Sequence, residues 1–228
     1  MNIWFKALFI PLLLSGTLVQ AAETGGVTVG GTRVIYNGGK KEASLSVSNT
    51  DTNPYLIQSW AETQTSGAEK APFIITPPLF RLEGNQQNVL RIVRTGGNLP
   101  EDRESLYWLN VKSIPAGSKN GAANTLQIAV KTRIKLIYRP QDLKSVPEDV
   151  TNKLTWSQQG NQLTVNNPTP FYMNFNQVKV GGREVKDVTY VAPMSQATFT
   201  APAGASGSVT WKIISDYGGV GDEHSPGK

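Results

Sequence analysis

The chain has 228 residues, a formal net charge of +5 and no cysteine. Without cysteine it has neither disulfides nor cysteine-bound zinc, so burial of a core alone must stabilise the fold. The single histidine, His224, lies in a glycine-rich tail, which argues against a histidine-based metal site or a Ser/His/Asp triad. The basic residues form no cluster with interleaved aromatics, so nucleic acid is not an expected partner. We expect no catalytic residues, no metal and no cofactor.

The first segment, residues 1–22, has the pattern of a secretory signal peptide. Lys6 gives a positive start, Ala7 to Val19 is apolar, and small residues suited to cleavage follow at Ala21 and Ala22. The apolar run is shorter than the roughly 18 residues that a membrane span needs, and no later stretch comes close. We therefore expect an exported protein that does not insert into a membrane.

Residues 23–140 are predicted to form a first domain of about seven strands without a helix, as in an immunoglobulin-like sandwich. Turn signals such as Asn37-Gly38-Gly39 separate the strands, and Pro77-Pro78 predicts an edge or a kinked connection. The predicted strands are Val27–Tyr36, Ala43–Ser48, Tyr55–Glu62, Phe73–Leu82, Val89–Arg94, Leu106–Val111 and Thr125–Arg139.

The last of these, Thr125–Arg139, is unusually long for a strand, since most strands have about 5 or 6 residues. Its apolar residues fall on one parity and its polar residues on the other, which predicts a half-buried strand. The apolar set is Leu126, Ile128, Val130, Ile134 and Leu136. A long apolar strand at a sheet edge is an aggregation hazard. The pattern therefore leaves two alternatives open: a central core strand, or a strand that pairs with a partner.

Residues 141–228 are predicted to form a second, smaller β-sandwich. Its first residues belong to a proline-containing linker, Pro140 to Asp149, and its strands follow this linker. Gly181-Gly182 predicts a hairpin there. The predicted strands are Lys153–Ser157, Gln162–Asn166, Tyr172–Val180, Val185–Val191, Gln196–Thr200 and Ser208–Ser215. The predicted fold class is all-β, with two immunoglobulin-like β-sandwich domains set at an angle.

The segment Leu99 to Ala116, L-P-E-D-R-E-S-L-Y-W-L-N-V-K-S-I-P-A, resembles the signature of the periplasmic pilus-assembly chaperones, the PapD-like family. Other similar segments follow in that family's order, so the resemblance covers essentially the whole mature chain. They are Thr32–Tyr36, Pro54–Trp60, Ile75–Leu82, Thr132–Pro140, Asn167–Tyr172 and Asp216–Gly219. The short loop Ser113 to Asn124 is similar to that of the subfamily that serves rod-like pili. Members of the family often carry cysteines in the second domain, whereas this chain has none.

The resemblance implies a non-enzymatic periplasmic chaperone for pilin (fimbrial) subunits. In the family, the last strand of the first domain completes the subunit's sandwich by donor-strand complementation, and the chaperone delivers the subunit to an outer-membrane usher for fimbria assembly. Leu126, Ile128 and Val130 match the positions that fill the subunit's groove. Arg33 and Lys135 match the pair that anchors the subunit's C-terminal carboxylate.

Two further sets of residues match family positions. Glu104, Arg139 and Asp216 match a network that holds the two domains at their angle. The usher-docking surface is matched by Pro54, Leu56 and Ile114. The anchor raises one difficulty, because Lys135 has the opposite parity to the groove-filling residues. Either a bulge or twist reconciles them, or they serve different faces.

The sequence pattern leaves two rival functions. An adhesin or fibre subunit has a similar sandwich, but it would lack the pair Arg33 and Lys135 and would need its own complementing strand. A hydrolase is less well supported, since no nucleophile–base pair is found. The sequence does not identify the cognate pilus, nor does it say whether the free protein self-associates through its exposed strand.

Overall fold

The computed structural model describes residues 25–65, 70–117 and 127–226. The predicted signal peptide, residues 1–22, and the predicted groove-filling residue Leu126 lie outside these ranges. The described residues contain sixteen strands and very little helix. The predicted all-β class with two immunoglobulin-like domains is confirmed.

The first domain is a sandwich of two sheets that pack through their alternating apolar residues. One sheet has the order β1-β3-β7-β5 and the other has the order β2-β9-β8-β4-β6. The strands are β1 (Val27–Val29), β2 (Arg33–Asn37), β3 (Glu42–Asn49), β4 (Tyr55–Glu62), β5 (Phe73–Thr76), β6 (Leu79–Leu82), β7 (Gln87–Arg94), β8 (Ser105–Pro115) and β9 (Val130–Arg139). Side chains from both sheets form one buried core, which includes Val47, Ile57, Leu90, Ile92, Leu109 and Leu136.

The predicted strand Val27–Tyr36 is two strands, β1 and β2, which lie in different sheets. The chain changes sheet at Gly30, where a Cβ atom would lie only 1.9 Å from Ser46 Oγ. Any other residue here would force the Ser46 side chain to move, so the close approach favours glycine. The predicted strand Phe73–Leu82 is likewise divided into β5 and β6 at the two prolines, which is the kinked connection that the sequence indicated.

Strand β9 is shorter than predicted, because it begins at Val130 rather than Thr125. It pairs regularly with β8 from Val130 opposite Ser113 to Tyr138 opposite Ser105, without a bulge. On its other side it pairs in parallel with β2, and this pairing begins where Arg33 meets Lys135. Within the described residues, the edge of β9 before Lys135 has no strand beside it on that side.

Strand β8 is longer than predicted and takes up the start of the predicted loop Ser113–Asn124. Residues 118–124 of that loop lie outside the described ranges. The short-loop assignment therefore stays a prediction.

The second domain begins with a short helix, α1 (Pro147–Val150), inside the predicted linker, and a 3₁₀ turn (Thr151–Lys153) follows. Its two sheets have the order β10-β11-β15 and β13-β12-β14, with β16 paired to β12. The strands are β10 (Thr155–Gln159), β11 (Gln162–Asn167), β12 (Met173–Val180), β13 (Arg183–Glu184), β14 (Tyr190–Val191), β15 (Ser195–Thr200) and β16 (Val209–Ile213). They enclose a separate core that includes Leu163, Val165, Met173, Val178, Trp211 and Ile213.

The predicted strand Val185–Val191 is wrong, since only Tyr190 and Val191 of that range are extended strand. Asp187 has a φ of 57°, a left-handed conformation that interrupts a β-ladder. The hairpin predicted at Gly181-Gly182 is present between β12 and β13, with both glycines at positive φ.

A small third cluster joins the two domains and consists of Leu106, Ile137 and Tyr172. Leu106 and Ile137 lie opposite each other on β8 and β9, on the face turned away from the first core. The predicted boundary between residues 140 and 141 lies between the two main cores and stays a prediction. None of the helices in the described part of the chain is long and apolar enough to span a membrane.

Candidate carboxylate anchor and exposed strand

Two cations stand side by side where β2 first meets β9. Arg33 and Lys135 are register partners in this parallel pair, so their side chains leave the same face of the sheet. Arg33 Nη1 donates to the carbonyl oxygen of Ile214 at 3.5 Å, and Arg33 Nε is buried without a hydrogen-bond partner among the described residues. Adjacent positive charges with an unused donor are suited to an anion.

The surroundings of this pair shift both pKa values downward. Burial, together with the neighbouring Arg33 charge, lowers the pKa of Lys135 to about 8. Burial also lowers the pKa of Arg33, against the charges of Asp216 and Glu148. Because both causes disfavour the charged form of Lys135, a bound carboxylate would stabilise this cation.

The second domain holds Lys135 in place. Lys135 Nζ donates to Asn174 Oδ1 and lies 4.6 Å from the centroid of the Tyr190 ring. The Tyr190 hydroxyl in turn donates to Gln64 Oε1 of the first domain at 3.2 Å. The carbonyl oxygen of Asn174 accepts from the amide of Ile214, whose own carbonyl oxygen contacts Arg33. Both cations of the pair are therefore oriented by β12 and the residue that follows β16.

The apolar residues at and just before the start of β9 face solvent. Ile128 is 65% exposed and Val130 is 54% exposed, whereas Ile134 and Leu136 on the same parity are buried in the first core. Because the ladder is regular, Lys135 lies on the opposite face from Val130. Lys135 and the exposed apolar residues therefore lie on different faces of the sheet, and no bulge is needed to reconcile their positions.

A buried ion-pair network links the domains at the end of β9. Arg139 Nε donates to Glu104 Oε1 at 2.7 Å, and its two Nη atoms donate to the Asp216 carboxylate at 2.7 and 2.8 Å. Glu104 Oε2 accepts from the backbone amide of Tyr172 at 2.7 Å. The Glu104 side chain is 1% exposed and that of Arg139 is 10% exposed. The network is therefore buried, unlike a surface ion pair.

Burial raises the pKa of the Glu104 carboxyl to about 7, against the stabilising charge of Arg139 and the Tyr172 amide. Burial alone would lower the pKa of Arg139, but its hydrogen bonds and charge interactions with Asp216 and Glu104 raise it overall. Arg139 thus remains charged, and Glu104 depends on it for compensation.

The residues predicted to dock on another protein form a surface patch at the far end of the first domain. Leu56 and Ile114 lie opposite each other on β4 and β8, and Pro54 accepts a backbone hydrogen bond from Ala116 at 3.1 Å. Leu56 is 40% exposed, as is usual for an interaction surface rather than a core. Leu79 on the adjacent β6 is 56% exposed on the same face, opposite Gln58, and was not predicted from the sequence.

Two family models match almost all of the described chain. Residues 26–144 match "Pili and flagellar-assembly chaperone, PapD N-terminal domain", and residues 149–225 match "Pili assembly chaperone PapD, C-terminal domain". The chain belongs to the PapD-like family of pilus-assembly chaperones. The rival interpretation as an adhesin or fibre subunit does not fit this membership.

Individual relatives agree with the family. The probable fimbrial chaperone LpfB of Escherichia coli O157:H7 is 47% identical, with 96% of this chain and 95% of that protein covered. The chaperone FimC of Escherichia coli K12 is 42% identical, with 92% and 87% covered. Among solved structures, the complex of the Salmonella enterica SafA pilin with the SafB chaperone matches at a TM-score of 0.83 and 44% identity, covering 90% of this chain and 97% of that chain.

The structure of this chaperone adds contacts that sequence reasoning missed. Asn174 and Tyr190 contact Lys135, and Gln64 contacts Tyr190, but the three come from distant segments of the chain. Asn174 and Tyr190 lie within predicted strands of the second domain. Alternation of apolar and polar residues predicts only which face of such a strand is buried. No signal in the sequence pairs them with a lysine of the first domain.

Proposed function

We propose that this chaperone captures a pilin subunit on the free edge of β9 and anchors the subunit's C-terminal carboxylate on Arg33 and Lys135. The observation that carries the proposal is the place of these two cations, at the point where β2 begins to pair with β9. Carboxylates form strong charge-assisted hydrogen bonds with such groups.

The topology favours one direction for the subunit strand. A strand added to the free edge of β9 must end near Arg33, because β2 occupies the edge from there onward. If the strand runs parallel to β9, its C-terminal end meets Arg33 and Lys135. An antiparallel strand ending its pairing there would instead bring its amino-terminal end toward two positive charges. The anchor therefore favours a parallel strand with a free carboxylate.

The exposed apolar residues support capture by strand donation. Val130 at the start of β9 and Ile128 just before it face solvent, and the backbone edge of β9 beside them is also free. An added strand would contact both the side chains and this edge. Burying such a side chain contributes about 1.5–3 kcal/mol. Part of this gain is offset by the ordering of the two chains. Leu126 has the same parity and extends the series in the sequence, outside the described residues.

The proposal extends to delivery of the subunit to an outer-membrane usher in the periplasm. Pro54, Leu56 and Ile114 lie together on the first domain, where Pro54 and Ile114 are half-buried and Leu56 is exposed, and exposed apolar residues favour protein contacts. The proposed assignment also includes a signal peptide at residues 1–22 and mature domains at 23–140 and 141–228. Capture of the subunit needs no enzymatic chemistry in this proposal.

Changing Ile128 to Ser tests whether the segment just before β9 belongs to the subunit site or to the chaperone's own core. We expect a change in stability within about 0.5 kcal/mol, because the side chain is exposed in the free protein. Capture should weaken, because the subunit loses an apolar contact. The measurements are the thermal midpoint and co-purification of a tagged fimbrial subunit from the periplasm.

Ile134→Ser is the matched control, since Ile134 is the same residue type at the same parity, six residues later within β9, but is buried. It should lower stability by about 2–5 kcal/mol, as core truncations do. A comparably large loss in Ile128→Ser, or undiminished subunit capture by that variant, would show that the exposed residues do not form the subunit site.

Binding of a peptide with a free C-terminal carboxylate should weaken as the pH rises from 7 through about 8, the pKa of Lys135. Above that value the lysine is neutral in the free chaperone, and binding must first restore its proton. One charge-assisted contact contributes about 1.5–3 kcal/mol, so we expect at least about a tenfold loss once Lys135 is neutral. Isothermal titration of the peptide across this range measures the effect.

The Lys135→Arg variant is the control for this pH profile, because its guanidinium keeps its charge throughout. Its binding should vary much less with pH. A wild-type profile that is flat, or that rises with pH, would contradict a role for the Lys135 ammonium.

A further inference from the structure

The outward face of the sheet beside the free edge of β9 carries ordered cations. Lys131 and Arg133 leave this face together with Lys135, since the three are two residues apart on one strand. Lys131 Nζ lies 5.1 Å from the centroid of the Trp60 ring, and Arg133 Cζ lies 4.3 Å from that of Trp108. The side chains of Lys131 and Arg133 nevertheless remain 44% and 39% exposed. They are held in place and still accessible to a partner.

Positive charge is in excess on this face. Among the described residues, Glu62 is the carboxylate that reaches Lys131 and Arg133, at 3.7 Å from each. These distances are too long for hydrogen bonds, and Glu62 accepts its short bond, 2.7 Å, from Trp60 Nε1. Lys112 lies directly opposite Lys131 in the ladder of β8 and β9. Like charges in that position destabilise a sheet, which a nearby anion would relieve.

We propose that Lys131 and Arg133 bind acidic side chains at alternate positions of the captured strand, just before its C-terminus. This inference rests on the proposed function, in which that strand runs parallel to β9 and ends at Lys135. Side chains of a paired strand alternate between the two faces of the sheet. Every second residue of the captured strand therefore lies beside Arg133 and then Lys131.

The two faces of the captured strand would then have separate roles. Residues of the captured strand on the Val130 side continue the apolar contacts. Its residues on the Arg133 side contact the cations Lys131 and Arg133. Adjacent strands are about 4.8 Å apart, within reach of a glutamate from either cation. Because both cations are exposed, each contact with an acidic side chain adds little to the overall affinity. The two cations would instead determine which subunits are preferred.

The test uses synthetic peptides that end in a free carboxylate and are long enough to pair with residues 127–134. Valine occupies alternate positions, and Glu, Gln or Lys occupies the others, in both possible registers. In one register we expect the Glu peptide to bind about threefold to tenfold more tightly than the Lys peptide, with Gln between them. The difference should shrink with added salt.

Two variants and a control assign the effect to the named cations. Lys131→Gln/Arg133→Gln should lose the order of binding, and Lys131→Glu/Arg133→Glu should reverse it. Lys153→Gln/Lys186→Gln removes the same charge from exposed positions of the second domain and should leave the order unchanged. Circular dichroism confirms that each variant is folded.

The outcomes separate this inference from the proposed function. Each peptide is also measured as its C-terminal amide, which reports on Arg33 and Lys135 alone. If the free acid is preferred but Glu, Gln and Lys peptides bind equally in both registers, the inference is wrong and the anchor stands. The same holds if their order survives in Lys131→Gln/Arg133→Gln. If acid and amide bind equally, the proposed anchor itself is wrong.

Discussion

Replacing Arg33 and Lys135 together with alanine should abolish the preference of the chaperone for a peptide with a free C-terminal carboxylate over its amide. Each charge-assisted hydrogen bond to the carboxylate contributes about 1.5–3 kcal/mol, so two such bonds correspond to a preference of about 100-fold or more. The double variant has neither donor and should bind acid and amide alike. The measurement is the ratio of the two dissociation constants.

Single variants distinguish geometry from charge at this site. Arg33→Lys keeps the charge but loses the planar donors that hold a carboxylate with two parallel bonds, so we expect an intermediate preference. Lys153→Ala removes an exposed cation of the second domain and should have no effect. Wild-type binding that is equal for acid and amide would overturn the anchor, whatever the variants do.

The second domain should be needed for this preference, since Asn174 and Tyr190 hold the Lys135 ammonium. A chaperone that binds only the C-terminal carboxylate of a subunit can bind subunits of differing sequence, because every chain ends in a carboxylate. In the proposed mode of capture, Arg33 and Lys135 would supply this general contact. The exposed apolar residues Ile128 and Val130 and the cations Lys131 and Arg133 would add contacts that depend on the subunit's side chains.

Local alternation was sufficient to predict most strands of this fold. Tyr55–Glu62 was predicted to the residue, and one face of β4 packs on the core. The division of Val27–Tyr36 was not predictable, since it depends on pairing with distant segments: β1 pairs with β3 in one sheet and β2 pairs with β9 in the other. Alternation also did not reveal that β9 begins at Val130, because apolar residues continue beyond the sheet.

The candidate site was predicted through resemblance rather than through periodicity. Parity placed Lys135 and Val130 on opposite faces, which is what the regular ladder shows. The sequence pattern did not reveal that Arg33 and Lys135 are neighbours, since β2 and β9 are far apart in the chain and pair in parallel. The contact between Asn174 and Lys135 depends on how the two domains pack against each other, and no local sequence pattern predicts this packing.

Replacing Arg139 with alanine should be the most destabilising single change in the interdomain network. It would leave the carboxylate of Glu104 buried and uncompensated, and breaking a buried pair in this way costs about 3–5 kcal/mol. Asp216→Asn should have a smaller effect on stability, because Arg139 keeps its bond to Glu104. Small-angle scattering should show that Asp216→Asn nevertheless loosens the relative orientation of the domains.

The cost of Arg139→Ala should also depend on pH. Burial already raises the pKa of Glu104 to about 7 with Arg139 present, and removing the cation raises it further. A carboxyl whose folded pKa exceeds its unfolded value is stabilising when protonated, and that contribution is lost as the pH rises through the folded pKa. The deficit relative to wild type should therefore be larger at pH 9 than at pH 5, as measured by chemical denaturation.

The double variant Glu104→Gln/Arg139→Met is the control, since it removes both charges and keeps similar side-chain volumes. It should recover much of the stability that Arg139→Ala loses, and its difference from wild type should vary less with pH. If Arg139→Ala is no less stable than wild type, or if its deficit shrinks as the pH rises, then Glu104 does not depend on Arg139. The domain interface would in that case rest on the apolar contacts of Leu106, Ile137 and Tyr172.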